Sequence, residues 1–330
     1  MRIVVVGAGS WGTAVARLAA DAGHEVRLVC RTRSQADTIR ATRRNAAYLP
    51  GVELPSAVTL THLGAQGCLA DGELVVLAVP SRAVRDAGAV VAADFPAGAG
   101  ALSLTKGLDP VTGDFLSETW RNLLPPATPL CVLSGPNHAE EVGTRQPAAA
   151  VVAGDPDLGR RIQIGLSGPR FRLYLNDDLI GVELCGAAKN VIALAAGMSD
   201  GVGFGDNCKA TLITRGLAEM TRLGRACGAR EVTFRGLAGM GDLVATCTSV
   251  HSRNRRAGEL IARGMAVDDV EGELGQVAEG LWTVRHLLAL ADRVGVELPI
   301  SAEVEAVTFG GRPVPASLEA LMTRAPSVEE

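Results

Sequence analysis

The sequence opens with Met1-Arg-Ile-Val-Val-Val-Gly-Ala-Gly-Ser-Trp-Gly-Thr13, and this stretch decides the fold. Residues 3–6 are an apolar, β-branched run, and helical spacing of apolar residues follows the glycines. Gly7, Gly9 and Gly12 have the G-x-G-x-x-G spacing. Between a strand and a helix, that spacing predicts a dinucleotide-binding turn, in which the helix N-terminus holds phosphate groups. The alternative is a glycine-rich turn in some other α/β protein.

The composition indicates a soluble enzyme of two domains. A chain of 330 residues is longer than one core usually supports. The net charge of −4 lacks the basic balance of nucleic-acid-binding proteins, so we expect no nucleic-acid partner. No uninterrupted apolar run reaches the ~18 residues that a membrane span needs, so we expect no membrane insertion.

The N-terminus and the cysteines indicate a cytoplasmic protein. Arg2 followed by apolar residues imitates a signal peptide, but a strand, a turn and a helix account better for Trp11 and the glycines. The 7 cysteines are scattered singly, without a C-x-x-C pair or a histidine at metal-ligand spacing. Such a set is typical of reduced thiols, and we expect no metal site.

The spacing of apolar residues divides the chain into two parts. Short apolar runs alternate with helical stretches in the first part and predict parallel strands near residues 25–29, 73–79, 101–105, 130–134 and 148–153. From residue 179 the spacing becomes helical throughout. The predicted fold is α/β: a Rossmann-type dinucleotide-binding domain at residues 1–176 and an all-helical domain at residues 177–330.

The end of the second predicted strand bears on the choice of cofactor. NAD-selective sites place an Asp or Glu there, to bind the ribose 2′-hydroxyl. This chain has Cys30, Arg31, Thr32 and Arg33 instead. The arginines favour NADP(H), whose 2′-phosphate they could pair with; the alternative is that both are solvated surface residues.

Three segments of the helical part carry candidate catalytic or binding groups. Lys189 lies in an apolar helix, where a lysine loses its proton more easily and can act as an acid–base group; it could also be a lysine at the edge of a packed helix. Asp242 follows a glycine-rich loop. Residues 251–256 (His-Ser-Arg-Asn-Arg-Arg) could bind a phosphate monoester or form a solvated basic face.

Long motifs in the same order resemble one enzyme family over nearly the whole chain. The chain resembles the bacterial NAD(P)-dependent sn-glycerol-3-phosphate dehydrogenases. The motifs are Gly7-Ala-Gly-Ser-Trp-Gly-Thr-Ala14, Thr105-Lys-Gly-Leu108, Leu133-Ser-Gly-Pro136, Glu183-Leu-Cys-Gly-Ala-Ala-Lys-Asn190, Asp200-Gly-Val-Gly-Phe-Gly-Asp-Asn207, Thr214-Arg-Gly-Leu-Ala-Glu219, Gly236-Leu-Ala-Gly-Met-Gly-Asp-Leu243 and Ser252-Arg-Asn254.

The resemblance implies a set of site residues. Lys189 would be the general acid–base group, and Lys106 a second catalytic lysine that reaches both substrate and cofactor. The substrate-binding set would be Lys106, Gly135, Asn137, Lys189, Asp242, Ser252, Arg253 and Asn254. The cofactor-binding set would be Gly7, Gly9, Ser10, Trp11, Gly12, Arg31, Tyr48, Lys106, Ala139, Arg253, Val277 and Glu279.

The chain departs from the family in the segment after Gly135-Pro136. The family usually has a small hydroxyl residue, an aromatic residue and then Ala-Lys-Glu, whereas this chain has Asn137, His138, Ala139, Glu140 and Glu141. His138 and Glu140 therefore stand where the family has an aromatic residue and a lysine.

The implied activity is the reversible reduction of dihydroxyacetone phosphate to sn-glycerol 3-phosphate by NAD(P)H, which supplies glycerophospholipid synthesis. The resemblance also implies a homodimer with a small-molecule substrate. Two alternatives stay open. One is a β-hydroxyacid or 6-phosphogluconate-type dehydrogenase, against which the phosphate-binding segment and the short C-terminus count. The other is a non-catalytic NADP(H)-sensing module, which would have no use for a proton donor.

Overall fold

The computed structural model describes residues 1–324, so the last residues of the predicted helical domain lie outside the described part. An eight-stranded sheet forms the centre of the first domain, and a two-stranded hairpin lies beside it. The ten strands are β1 (Arg2–Val6), β2 (Glu25–Cys30), β3 (Arg44–Asn45), β4 (Leu49–Glu53), β5 (Val58–His62), β6 (Leu74–Leu77), β7 (Gly100–Ser103), β8 (Leu130–Ser134), β9 (Ala148–Gly154) and β10 (Phe171–Asn176).

The order of strands in the sheet is β10-β9-β8-β7-β6-β1-β2-β5, with β1 near the middle. β9 pairs antiparallel to β8, so the prediction that every strand of the sheet is parallel is wrong for this pair. A parallel return would need a crossover over the sheet face. The segment between β8 and β9 holds only the five-residue helix α5 (Ala139–Gly143), which packs on α1 (Ser10–Asp21), and the chain re-enters the sheet at the edge it left.

Both faces of the sheet are covered, which explains the continuous apolar runs of its strands. In β1, Ile3 and Val5 point into one core layer, and Val4 and Val6 into the other. The helices that cover the faces include α1, α2 (Arg33–Thr42), α3 (Val84–Ala93), α4 (Leu116–Leu123) and α6 (Pro156–Leu166).

The apolar pattern did not reveal the β3–β4 hairpin, β5 or β10. β5 is an edge strand whose last three residues are half-buried, and β3 has two residues, so neither carries a strong periodic signal. β10 ends at Asn176 and the first long helix begins at Leu179, so the predicted domain boundary falls between them.

The second domain is helical, as predicted. Its helices are α7 (Leu179–Gly201), α8 (Asp206–Ala226), α9 (Glu231–Phe234), α10 (Asp242–Thr248), α11 (Arg253–Ala262), α12 (Val267–Leu274), α13 (Glu279–Arg293), α14 (Pro299–Thr308) and α15 (Val314–Met322). A π-helical turn, Leu237–Gly241, leads directly into α10.

Helix α7 is the axis of this domain, and α8, α10, α11 and α13 pack around it. Among the described residues it is the one helix with the length and hydropathy of a membrane span, but 89% of its most apolar window is buried inside the protein. Its polar residues Glu183, Lys189 and Asn190 are all buried as well. This helix is the core of a domain, and its polar side chains need partners within that core.

Candidate active site

A cleft of about 680 Å³ lies between the two domains. It is lined by every predicted site residue except Gly135, whose carbonyl oxygen is 3.1 Å from Lys106 Nζ at the cleft wall. A second cleft, of about 800 Å³, lies between β9, β10 and residues 236–238, but none of the predicted site residues lines it. The interdomain cleft is therefore the candidate site.

The glycine turn forms one end of this cleft. Gly7 has φ +109°, a conformation that side chains rarely adopt, and a Cβ at Gly12 would collide with the Gly7 carbonyl oxygen. A Cβ at Gly9, in contrast, would meet no atom within 4 Å. The fold therefore requires glycine at positions 7 and 12, whereas the space beside Gly9 is open to a ligand.

The end of β2 lies beside this turn. Arg31 is exposed and lines the cleft, and no acidic residue stands at the strand end. Arg33 is the first residue of α2 and lies 3.8 Å from Asp37 on the same helix, outside the cleft lining. Of the two arginines, the structure brings only Arg31 to the site.

Lys106, Lys189 and Asp242 meet at the other end of the cleft. Lys189 Nζ is 2.5 Å from Asp242 Oδ1, and Lys106 Nζ is 2.7 Å from Oδ2 of the same carboxylate. Lys106 comes from the loop after β7, Lys189 from the middle of α7 and Asp242 from the start of α10. One carboxylate thus holds two ammonium groups, each of which also lines the cleft.

Burial and charge shift the pKa values of this centre in ways that suit proton transfer. Burial lowers the pKa of Lys189 to about 7; Asp242 opposes that shift, and the nearby Lys106 cation adds to it. Burial alone would raise the pKa of Asp242, but the two lysines outweigh it and hold the pKa below its usual value. Lys189 can therefore exchange a proton near neutral pH while Asp242 stays ionised.

Thr246 also belongs to this centre, although the sequence did not single it out. Lys189 Nζ donates to Thr246 Oγ1 at 2.8 Å, and the Thr246 hydroxyl donates to the Asp242 carbonyl oxygen at 2.6 Å. The spacing from Asp242 could have indicated this role, because residues four positions apart on a helix lie on the same face. Asp242 and Thr246 together hold the Lys189 ammonium in one place.

The start of α11 supplies the basic part of the cleft. The Ser252 side chain caps the helix by accepting from the Arg255 N–H at 3.2 Å, and Arg253 is exposed and lines the cleft. Arg255 instead pairs with Asp200 at 2.6 Å, outside the cleft lining. Of these two arginines, only Arg253 lines the cleft, whereas Arg255 forms an ion pair outside it.

Asn254 is buried and already has partners within the protein. Its amide nitrogen donates to Asn190 Oδ1 at 2.9 Å, and its oxygen accepts from the Gly280 N–H at 2.9 Å. These bonds join α7, α11 and the start of α13. One amide hydrogen of Asn254 remains for a ligand.

The loop after β8 brings its unusual residues to the cleft. Asn137 Oδ1 accepts from Lys106 at 3.2 Å, and His138 Nε2 lies 3.4 Å from the Ala245 carbonyl oxygen. Burial, with the nearby Lys189, lowers the pKa of His138, so the ring is neutral at pH 7. Ala139 and Glu140 complete this wall.

The segment before α13 crosses the cleft and contacts the first domain. The Ser10 hydroxyl donates to the Tyr48 carbonyl oxygen at 2.7 Å, and Ser10 Oγ also lies 3.0 Å from Gln276 Oε1. Both carboxylate oxygens of Glu279 accept from Ser81, one from its N–H at 3.0 Å and the other from its hydroxyl. Val277 lines the cleft between these contacts. Gln276 was not predicted, and nothing local in the sequence shows that Ser81 contacts Glu279 or that Ser10 contacts Gln276.

Two buried donors in the cleft lack a protein partner. Trp11 Nε1 and Asn137 Nδ2 are inaccessible to solvent and make no hydrogen bond within the described part of the chain. Buried donors are normally satisfied, so both indicate a polar ligand. Together with the open space at Gly9 and the exposed Arg31, they fit a dinucleotide. Residues 1–324 contain no group of three or more His, Cys, Asp or Glu side chains that could hold a metal ion.

Cys247 and the motif residues Glu183 and Asp200 lie outside the cleft lining. Cys247 is buried in the helical domain, and burial raises the pKa of its thiol to about 12. Glu183 accepts from the Ser117 N–H at 2.9 Å at the start of α4. Asp200 pairs with Lys209 at 2.7 Å as well as with Arg255. None of these side chains lines the cleft.

Comparison with known proteins identifies the family. Models of the NAD-dependent glycerol-3-phosphate dehydrogenase N-terminus and C-terminus match residues 2–157 and 178–319. The chain is 49% identical to glycerol-3-phosphate dehydrogenase (NAD(P)+) of Thermus thermophilus, with 100% of both chains covered. It is 48% identical to the Corynebacterium kroppenstedtii protein of the same name, with 98% of both covered.

Comparison with solved structures points to the same family. The glycerol-3-phosphate dehydrogenase of Coxiella burnetii superposes with a TM-score of 0.94 at 36% identity, over 98% of this chain and 99% of that one. A ketopantoate reductase from Ralstonia eutropha, at 18% identity and a TM-score of 0.62, shares the fold alone. The chain belongs to the NAD-dependent glycerol-3-phosphate dehydrogenase family.

Proposed function

We propose that this protein is a glycerol-3-phosphate dehydrogenase that reduces dihydroxyacetone phosphate to sn-glycerol 3-phosphate with NAD(P)H, in a reversible reaction. The observation that carries the proposal is the Lys106–Asp242–Lys189 centre, which lies in one cleft with the glycine turn and with Arg253. The family relationship is consistent with this chemistry. The pathway we propose is glycerophospholipid synthesis, which uses the product.

The cofactor fits the first-domain side of the cleft. Gly7, Gly9 and Gly12 with the start of α1 would receive the pyrophosphate, and Ser10, Trp11, Arg31, Tyr48, Ala139, Val277 and Glu279 would complete its surroundings. When bound, the reduced nicotinamide supplies the hydride for the ketone carbon. We propose that Arg31 also admits a 2′-phosphate, so that NADPH serves at least as well as NADH.

The residues of the chain supply the proton and the placement of the substrate. Lys189 donates a proton to the ketone oxygen as the carbon is reduced, and Lys106 stabilises the negative charge that develops on that oxygen. Asp242 and Thr246 hold the Lys189 ammonium, so that the proton comes from a fixed position. In the reverse direction, neutral Lys189 accepts the hydroxyl proton.

The phosphate end of the substrate would lie at the start of α11. Arg253 supplies a charge-assisted bond, and Ser252 and Asn254 have a free hydroxyl and amide hydrogen. Lys106, Gly135 and Asn137 would line the other end. Fixing the phosphate places the ketone in a reactive position, which lowers the entropy cost of the reaction.

A turnover assay with the purified chain, dihydroxyacetone phosphate and NADPH or NADH tests the proposal. We expect oxidation of the cofactor that depends on the ketone phosphate, and the reverse reaction with sn-glycerol 3-phosphate. Turnover only with β-hydroxyacids or 6-phosphogluconate would contradict the proposal and favour the related dehydrogenases. Tight NADPH binding without turnover would favour a sensing module.

We propose residues 1–176 and 177–330 as the two domains, a homodimer as the assembly and the cytoplasm as the location. The 7 cysteines are free thiols, five of them buried, which fits a reducing compartment. Size-exclusion chromatography coupled to light scattering measures the molar mass in solution. A mass equal to that of one chain would contradict the homodimer.

A further inference from the structure

The carbonyl oxygen of Ala8, inside the glycine turn, accepts hydrogen bonds from two side-chain amides. Asn45 Nδ2 donates to it at 2.9 Å from β3, and Gln35 Nε2 donates to it at 3.0 Å from α2. Neither residue belongs to the cofactor-binding set. Two separate elements therefore converge on a single peptide of the turn.

Asn45 is a buried side chain, only 2% exposed. The second hydrogen bond of its amide nitrogen goes to Thr13 Oγ1 at 2.8 Å, so both amide hydrogens are used. The backbone carbonyl oxygen of Asn45 accepts from the Tyr48 N–H at 3.2 Å. The Tyr48 carbonyl oxygen in turn accepts from Ser10. Residues 45–48 thus contact the turn at its middle and at the start of α1.

Gln35 is half-buried and connects the turn with the end of β2. While its nitrogen donates to Ala8, its oxygen accepts from the Arg31 N–H at 3.1 Å. Its own N–H donates to Thr32 Oγ1 at 3.2 Å, which fixes the first turn of α2. One side chain thus links the backbone of the turn to the backbone of Arg31.

The planarity of the peptide unit gives these contacts a consequence for ligand binding. In a trans peptide, the carbonyl of Ala8 and the N–H of Gly9 point in opposite directions. Two donors that hold the carbonyl against the protein therefore aim the Gly9 N–H in the opposite direction. Gly9 lines the cleft, and a Cβ there would meet no atom within 4 Å, so a ligand can approach this peptide closely. A donor that is fixed before binding costs less to order when an anion arrives.

We propose that Asn45 and Gln35 are positioning residues that hold the Ala8–Gly9 peptide in the orientation that receives the cofactor pyrophosphate. The inference rests on the proposed use of this cleft for NAD(P)H. NADH and NADPH share the pyrophosphate, so loss of either amide weakens binding of both by the same factor. Loss of a contact to the 2′-phosphate would weaken NADPH alone.

The test measures the Kd of NADH and of NADPH by fluorescence titration of the purified full chain. For Gln35→Leu and Asn45→Leu we expect both Kd values to rise roughly three- to tenfold, as the loss of one hydrogen bond implies. At saturating cofactor, kcat and the KM of dihydroxyacetone phosphate should stay within about twofold of wild type, because neither amide reaches the substrate end.

Thr13→Val is the matched control. It removes the other hydrogen bond of Asn45 without touching the Ala8 carbonyl, so both Kd values should stay at the wild-type level. Circular dichroism and thermal unfolding check that each variant folds. If Asn45→Leu does not fold, the half-buried Gln35 carries the test through Gln35→Leu.

Three results would overturn the inference. One is wild-type affinity for both cofactors in the folded variants. A second is a loss confined to NADPH, which would mean that Gln35 acts only through Arg31. The third is an equal loss in Thr13→Val, which would mean that any weakening of the region has this effect. Absence of NADH and NADPH binding by the wild-type chain would instead contradict the proposed function on which the inference rests.

Discussion

The glycine turn and the charged centre lie in the same cleft but are built in different ways. The turn presents backbone groups of consecutive residues, 7–12, whose geometry follows from where glycine is required. The centre presents the side chains of Lys106, Lys189 and Asp242, which come from three separate elements. A backbone site is local, whereas a side-chain site depends on the packing of both domains. We therefore expect replacing one side chain of the centre to affect turnover more than replacing one side chain beside the turn.

Lys189→Met should have the largest effect. It removes the proton donor while keeping an unbranched side chain in the core of α7. We expect kcat to fall by about 10²- to 10⁴-fold, the range typical of general acid–base groups, with the Kd of NADPH nearly unchanged. Lys209→Met is the matched control: Lys209 pairs with Asp200 outside the cleft, so kcat should be retained. Full turnover by Lys189→Met would exclude the proposed role.

The pH dependence of the reaction tests the same centre. The pKa of Lys189 is about 7 in the free protein, and ketone reduction needs the protonated form. We therefore expect kcat/KM for reduction to fall as the pH rises through about 7, and kcat/KM for oxidation to rise over the same range. Asp242→Asn removes the negative charge that raises the pKa of Lys189, so the midpoint should move to lower pH.

A buried carboxyl outside the cleft provides the control for this measurement. Burial raises the pKa of Glu183 to about 7 as well, as it does that of Glu219, so a pH midpoint near 7 could come from a buried carboxyl instead of Lys189. Glu183→Gln retains an oxygen that can accept from Ser117 and should leave the midpoint where it is. A midpoint that moves in Glu183→Gln and not in Asp242→Asn would assign the titration to Glu183 instead of Lys189 and contradict the proposal.

The difference between the two regions also explains how much the sequence predicted. The α/β fold, the helical second domain and the turn at Gly7–Gly12 follow from apolar spacing and glycine positions, and the fold class is confirmed. The apolar helix around Lys189 suggested its acid–base role, whereas the roles of Lys106 and Asp242 came from the family resemblance, since no local pattern joins residues so far apart in the chain. Thr246 was detectable only once Asp242 was placed on a helix.

Features that depend on long-range packing were not predicted. The antiparallel pairing of β9 depends on the path of the chain through α5, and the pairing of Arg255 with Asp200 depends on how α11 meets α7. By composition, Arg253, Arg255 and Arg256 were equivalent members of one basic run, and the family resemblance alone singled out Arg253. The packing of α11 decides which of them faces the cleft.

Arg253→Ala should have an intermediate effect. Loss of one charge-assisted contact to the phosphate should raise the KM of dihydroxyacetone phosphate by roughly ten- to a hundredfold, with a smaller change for NADPH. Arg256→Ala is the matched control, because Arg256 is an exposed arginine on the same helix that does not line the cleft. An unchanged KM in Arg253→Ala would mean that the segment is a solvated basic face.

Arg31→Asp should have the smallest effect on turnover, because it acts on cofactor choice alone. Arg31 is exposed at the end of β2, where no carboxylate is present to bind a ribose 2′-hydroxyl or to repel a 2′-phosphate. We expect wild type to use NADPH at least as well as NADH, by kcat/KM, and Arg31→Asp to reverse that order. The substitution removes an attraction to the 2′-phosphate and adds a repulsion.

The neighbouring arginine makes this prediction specific. Arg33→Asp introduces the same charge change two residues away, but Arg33 lies outside the cleft lining. Its NADPH-to-NADH ratio of kcat/KM should therefore stay close to wild type. If Arg33→Asp changed the ratio as much as Arg31→Asp, the effect would come from the general charge of the surface. If neither changed it and wild type preferred NADH, Arg31 would be a solvated residue. Only a change confined to Arg31→Asp supports a contact between this side chain and the 2′-phosphate, because the two variants carry the same net charge.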